Sequence, residues 1–183
     1  MSAIGVYRDL AWLGLILIKC GATAFDMDSI LKLAPLIREG AQHANGTSKS
    51  ERHFLDFVVD GQSLWEALGK RHDMVSILCA EYSADETAKA IGRLRLNEEA
   101  DLPNGRRSFF LCSECGDLGC GAITALVERE GETIKWKAFG YENTYEDNIS
   151  LDPYSSVGPF TFDATAYEHT LAQAMDLLQR AKS

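Results

Sequence analysis

A chain of 183 residues with 46% hydrophobic and 25% charged residues is long enough to bury a sizeable core and has the balance of a folded globular domain. Its formal charge of −9 argues against a nucleic-acid partner, because neutralising phosphates takes an excess of Lys and Arg. Five cysteines, an odd number in a chain this long, do not fit a secreted disulfide scaffold and point to a reducing cytoplasm.

Taken in order, the chain first offers an apolar run, Leu10 to Ile18, that is too short for a bilayer span, which takes about 20 residues. Trp12 to Cys20 is predicted as a buried strand. Asp26 or Asp28 is then expected to N-cap a helix through Ile30, Leu31, Leu33, Leu36 and Ile37, with Pro35 breaking or kinking it. Gly40 to Ser50 is small and polar and is predicted as a linker. The expected organisation is therefore an N-terminal strand-helix extension with its linker over residues 1–50, and a main domain over 51–183.

In the main domain, Phe54 to Val59 is predicted as a strand that turns at Asp60-Gly61. Ser63 is placed to cap a short helix over Leu64 to Leu68, ended by Gly69. Met74 to Cys79 is a second apolar strand. Ser83 and Glu86 form a capping box that opens a helix running to about Leu94. Asn97 to Arg107 is expected to be loop, and Ser108 to Cys112, Gly121 to Arg129 and Thr133 to Phe139 three strands, the last two joined by a hairpin at Glu130-Gly131-Glu132. An irregular acidic stretch over 141–158 leads to a short strand at Phe160 to Phe162. Asp163 then caps one helix whose apolar positions are Tyr167, Leu171, Ala174, Met175 and Leu178. This pattern predicts an α+β fold, a mostly antiparallel sheet with flanking helices.

Two stretches stand out for chemistry. Cys112, Cys115 and Cys120 lie among Gly116, Gly119 and Gly121. A zinc site needs four thiolate or imidazole ligands, and here the fourth has no local source, which leaves Cys20, Cys79 or a distant His. A redox C-x-x-C normally sits at a helix N-terminus, whereas Cys115 leads into a turn flanked by Glu114 and Asp117. The alternative that asks least is a tight turn between strands with buried cysteines, glycines at special backbone angles and no cofactor. The histidines, His43, His53, His72 and His169, are scattered, and the chain has no dinucleotide, P-loop, nucleophile-elbow or zincin motif, so the enzymatic reading is disfavoured.

The second stretch runs from Ala138 to Gln179, which contains no Lys or Arg. Net charge falls along the chain from +1 over residues 1–50 to −3 over 51–110 and −7 over 111–183. Acids interleaved with aromatics suit docking of a basic protein, with charge for steering and rings for anchoring. The candidate partner-binding residues are Tyr141, Glu142, Tyr145, Glu146, Asp147, Asp152 and Tyr154.

Val59-Asp60-Gly61-Gln62-Ser63-Leu64, the run Cys115-Gly116-Asp117-Leu118-Gly119-Cys120-Gly121-Ala122 and a later Trp-bearing strand around Trp136 resemble a family of small uncharacterised bacterial proteins over roughly residues 54–180. The resemblance implies a bacterial cytoplasmic origin and carries over no functional residue. Together the residues lead to the expectation of a non-enzymatic acidic binding protein of the immunity or antitoxin type, neutralising a basic toxin domain such as a nuclease. The alternative is a structural-zinc or thiol-redox protein built on Cys112, Cys115 and Cys120.

Overall fold

The computed structural model describes residues 28–102, 104–143, 145–146 and 148–181. The strand expected over Trp12 to Cys20 and the cap at Asp26 lie outside these residues. The fold is α+β. The first strand among the described residues, β1 (Leu31–Arg38), corrects the helix expected there. Apolar spacing alone fits either element, but Pro35 decides: it lacks an N–H and is tolerated in an edge strand, where no partner needs that donor. β1 has one ladder partner among the described residues, the strand β4 (Arg52–Val59), with Leu31 opposite Val59 and Arg38 opposite Arg52.

The expected linker is also structured. β2 (Ala41–Gln42) and β3 (Ser48–Lys49) form a small hairpin between β1 and β4 (Arg52–Val59). Gly46 takes a φ of +85° at its turn, and the Asn45 side chain accepts the Thr47 N–H at 3.1 Å. β1 is thus built into the same sheet as the start of the main domain, and β2 and β3 form their own two-stranded ladder between β1 and β4. Asp60 and Gly61, both at positive φ, turn the chain into β5 (Gln62–Ser63), and Ser63 caps the following turn by accepting the Glu66 N–H. That helical turn spans Trp65–Gly69 and is anchored twice: the Trp65 N–H donates to buried Asp56 at 2.9 Å, and its indole N–H to the Met74 carbonyl at 2.7 Å.

β6 (Met74–Ser76) is shorter than expected because the chain changes partners. It pairs with β7 (Arg107–Cys112), and then residues 77–80 cross to β4: the Leu55 N–H donates to the Leu78 carbonyl and the Ala80 N–H to the His53 carbonyl. This segment stitches the three-stranded sheet β1-β4-β5 to a five-stranded one. The capping box at Ser83 and Glu86 opens α1 (Ala84–Leu94) as predicted, with both reciprocal bonds made. β7 (Arg107–Cys112), β8 (Ala122–Glu130) and β9 (Thr133–Glu142) form an antiparallel meander, and β10 (Phe160–Asp163) adds to β9. The order is β10-β9-β8-β7-β6, and this sheet curls. At its far margin the Ser29 N–H donates to the Thr161 carbonyl at 2.6 Å, so the chain just before β1 meets β10.

Asp163 caps α2 (Ala164–Ala172) through the Ala166 N–H. The predicted single helix is interrupted at Gln173, and α3 (Ala174–Ala181) continues it. Thr170 bonds back to the Ala166 carbonyl, a pattern that bends helices one turn before the break. α2 and α3 lie over β1 and β4 and bury Tyr167, Leu171, Ala174 and Leu178. The core is aromatic. Phe57, Phe109 and Trp136 meet edge-on with centroids 4.7–5.7 Å apart, and the Trp136 indole donates to the Tyr167 hydroxyl, which donates in turn to the Leu94 carbonyl. Among the described residues no helix is long and apolar enough to cross a membrane.

Candidate metal centre at the cysteine turn

β7 ends at Cys112, and the chain must reverse within nine residues to enter β8. Gly116, at a φ of +65°, donates its N–H to the Cys112 carbonyl at 2.9 Å and closes a Cys-x-x-Cys-Gly knuckle. Asp117 accepts the Gly119 N–H at 2.7 Å and starts a single helical turn over Leu118–Cys120. Gly121, at a φ of +107°, releases the chain into β8; a Cβ there would lie 2.3 Å from the Tyr141 hydroxyl.

The turn brings the three sulfurs of Cys112, Cys115 and Cys120 within 4.8 Å of one another, with Cys115 and Cys120 3.3 Å apart. Thiolates on one zinc at about 2.3 Å stand about 3.8 Å apart in a tetrahedron, so the triangle fits a tetrahedral ion with small adjustments. It is the one such convergence of His, Cys, Asp or Glu among the described residues. Cys79 does not join it: buried in β4's neighbourhood, its thiol donates to Glu81 at 3.0 Å, and burial pushes its pKa up to about 12. Cys20 lies outside the described residues. The fourth ligand position is therefore left to solvent or to a group beyond these residues.

The thiols differ electrically. The Asp117 main-chain N–H is directed at the Cys115 sulfur and holds that thiol below its ordinary range. Cys120 is pushed up to about 11 by its hydrogen bond and charge interaction with Cys115. The flanking carboxylates that would oppose a thiolate are occupied. Asp117 is turned to Gly119, while Glu114 accepts the Ser50 N–H and hydroxyl and pairs with Arg38 at 3.0 Å. A cation also reaches the turn from far away in sequence: Arg52 of β4 donates to the Ser113 carbonyl at 2.6 Å and the Glu114 carbonyl at 3.1 Å. Sequence reasoning missed both arginines, since 61 residues separate Arg52 from Ser113 and no local pattern marks the contact.

Tyr82 packs on the knuckle from the side of α1, its ring 2.9 Å from where a Gly116 Cβ would be. Its buried hydroxyl makes no hydrogen bond, and burial raises its pKa. Tyr82 and Cys115 line a cleft of about 310 Å³ with Glu86, Lys89, Arg93 and Ser108 on its other walls.

The acidic stretch divides differently from the expectation. Glu142 is buried, accepts from Arg106 at 2.9 Å and from the Thr124 hydroxyl, and holds the Asn104 amide; it is an internal ion-pair member and not a docking residue. Tyr154 is 2% exposed and bonds His72 Nε2 at 2.6 Å, which likewise removes it from the surface. Tyr141 is half-buried and stacks on His72 with ring centroids 5.0 Å apart. Tyr145, Glu146 and Asp152 are exposed, Tyr145 to 85%. Asp147 lies outside the described residues. The causes differ: β9 runs as far as Glu142, and a β strand buries alternate residues whatever the charge of the segment around them, whereas Tyr154 ends a short helical turn over Asp152–Tyr154 and packs on His72.

Compared with known proteins, the chain matches no family model, and no curated protein or solved structure is significantly similar to it.

Proposed function

We propose that this chain is a zinc-binding protein in which the thiolates of Cys112, Cys115 and Cys120 hold the ion. The observation that carries this reading is the convergence of three sulfurs on one glycine-shaped turn. Bound there, zinc supplies a cross-link of the β7–β8 connection and, through its fourth position, a Lewis acid. The chain's own contribution is to stabilise thiolate charge with the Asp117 N–H and to fix the turn through Arg52. The test is metal analysis of reduced, chelator-treated protein after zinc is returned in competition with a chromophoric chelator. About one ion per chain is expected, with cobalt substitution giving sulfur-to-metal charge-transfer bands, and Cys112→Ser or Cys115→Ser weakening uptake. Absence of uptake by the reduced protein defeats the reading.

A second reading keeps the acidic surface. Tyr145, almost fully exposed beside Glu146 and with Asp152 on the same connection, suits a basic protein partner such as a toxin domain neutralised by an immunity-type inhibitor. Charge reversal at Glu146 and Asp152 should slow association with such a partner, read as a lower association rate that salt also suppresses; unchanged kinetics across candidate nucleases count against it.

A further inference from the structure

We propose that Cys115 and Cys120 form a peroxide-oxidisable pair that closes to a disulfide and thereby withdraws two of the three ligands from the metal position. The release of metal rests on the zinc reading above; formation of the bond does not.

The choice of pair follows from geometry. Cys115 and Cys120 are both exposed, with their sulfurs 3.3 Å apart, and reaching a covalent separation of about 2.05 Å requires movement only within a surface turn. Glycines at positive φ bracket that movement, Gly116 after the first cysteine and Gly121 after the second. Cys112 is less free. It is half-buried, its backbone is laddered to Met74 of β6, and its carbonyl is held by the Gly116 N–H.

The chemistry balances with hydrogen peroxide as the named oxidant. The Cys115 thiolate attacks one peroxide oxygen, the O–O bond breaks, and hydroxide leaves, giving a sulfenic acid on Cys115. The Cys120 sulfur then attacks the Cys115 sulfur; the S–S bond forms, the S–O bond breaks, and the departing hydroxide takes up a proton as water. Two thiols and one peroxide give one disulfide and two waters. Cys115 is the first nucleophile because it is exposed and opens onto the cleft beside Tyr82, which admits a small oxidant. Cys120 is the resolving thiol. Cys79, buried and bonded to Glu81, serves as an internal control that stays reduced.

The experiment treats the reduced full-length chain, with and without zinc, with stoichiometric peroxide, then alkylates it and maps peptides without reduction while a chromophore reports released zinc. A dominant Cys115–Cys120 link, reversed by dithiothreitol, is expected, with Cys79 alkylated throughout and zinc appearing in step with the link. In Cys120→Ser a dimedone adduct should accumulate on Cys115; in Cys115→Ser the adduct on Cys120 should fall several-fold. A dominant link through Cys112, an intermolecular link, or over-oxidation without a link overturns the proposal. The two readings separate cleanly. A Cys115–Cys120 link in protein that takes up no zinc upholds the pair and defeats the metal site, whereas zinc uptake without the link defeats the pair alone.

Discussion

The cysteine turn and the acidic stretch are both short, irregular and conspicuous in the sequence, yet the fold treats them in opposite ways. Over 112–121 it gathers three like groups into one place and supplies N–H donors and arginines around them. Over 141–154 it disperses the candidates: Glu142 goes inward to Arg106, Tyr141 and Tyr154 go to His72, and Tyr145 and Glu146 are left outside. A cluster of residue types in sequence is therefore evidence of a site only when the backbone between them turns back on itself. The glycines at 116 and 121 do that; the extended end of β9 cannot.

Breaking the buried pair should have the largest effect. Glu142→Ala leaves Arg106, 4% exposed, without its carboxylate, and should lower unfolding free energy by about 3–5 kcal/mol in a denaturant titration. Glu146→Ala, at an exposed position, should stay within about 0.5 kcal/mol of the parent. Equal losses for the two would erase the distinction between inner and outer acids.

Gly121→Ala comes next. It forces a side chain into a φ of +107° and against Tyr141, for a loss of about 1–3 kcal/mol. A Tyr141→Ala background removes the steric part and should recover some of that loss, leaving the backbone strain. Non-additivity of the two changes is the readout.

A pH series sharpens the contrast further. Asp73 sits at a φ of +56° and accepts both Arg38 (2.7 and 2.9 Å) and Lys49 (2.5 Å), and these partners, Arg38 foremost, hold its carboxyl below the ordinary range. A depressed carboxylate stabilises the fold above its unfolded pKa, about 3.9, and that contribution is lost as pH falls through the folded value. The difference in urea midpoint between the parent and Asp73→Asn should accordingly be present at neutral pH and shrink in acid. Because Asp73 is 43% exposed, salt should reduce the difference as well. The smallest change is expected from Tyr82→Phe. Removing a buried hydroxyl that has no partner should leave stability equal or slightly higher, by up to about 1 kcal/mol. A clear loss would mean that this hydroxyl has a partner at the turn.

Much of the fold was legible because its signals are local. The Ser83–Glu86 box, the Asp60-Gly61 turn, the 130–132 hairpin and the cap at Asp163 each act over a few residues, and each produced the element expected. What failed was spacing without context. Ile30 to Ile37 satisfies a helical period and a strand at once, and Pro35 together with pairing to β4 selects the strand. Asn45-Gly46 carried a hairpin signal that its polar surroundings disguised as a linker. At the site, the three cysteines were visible, but their environment was not. Arg38, Arg52 and Tyr82 arrive from three other parts of the chain, far from the cysteines in sequence.

Arg52 has one more consequence. It sits on β4, the central strand of the three-stranded sheet, and its guanidinium holds two carbonyls of the cysteine turn, which itself joins two strands of the other sheet. The turn cannot loosen without slackening a contact between the sheets, and the sheets cannot part without releasing the turn. On the zinc reading, occupancy at the sulfurs and global unfolding would thus be thermodynamically linked. If the native chain alone binds the ion, each tenfold rise in free ion above the dissociation constant adds about 1.4 kcal/mol to the apparent stability. A melting temperature that climbs with buffered zinc would then report occupancy of the turn from the behaviour of the entire domain.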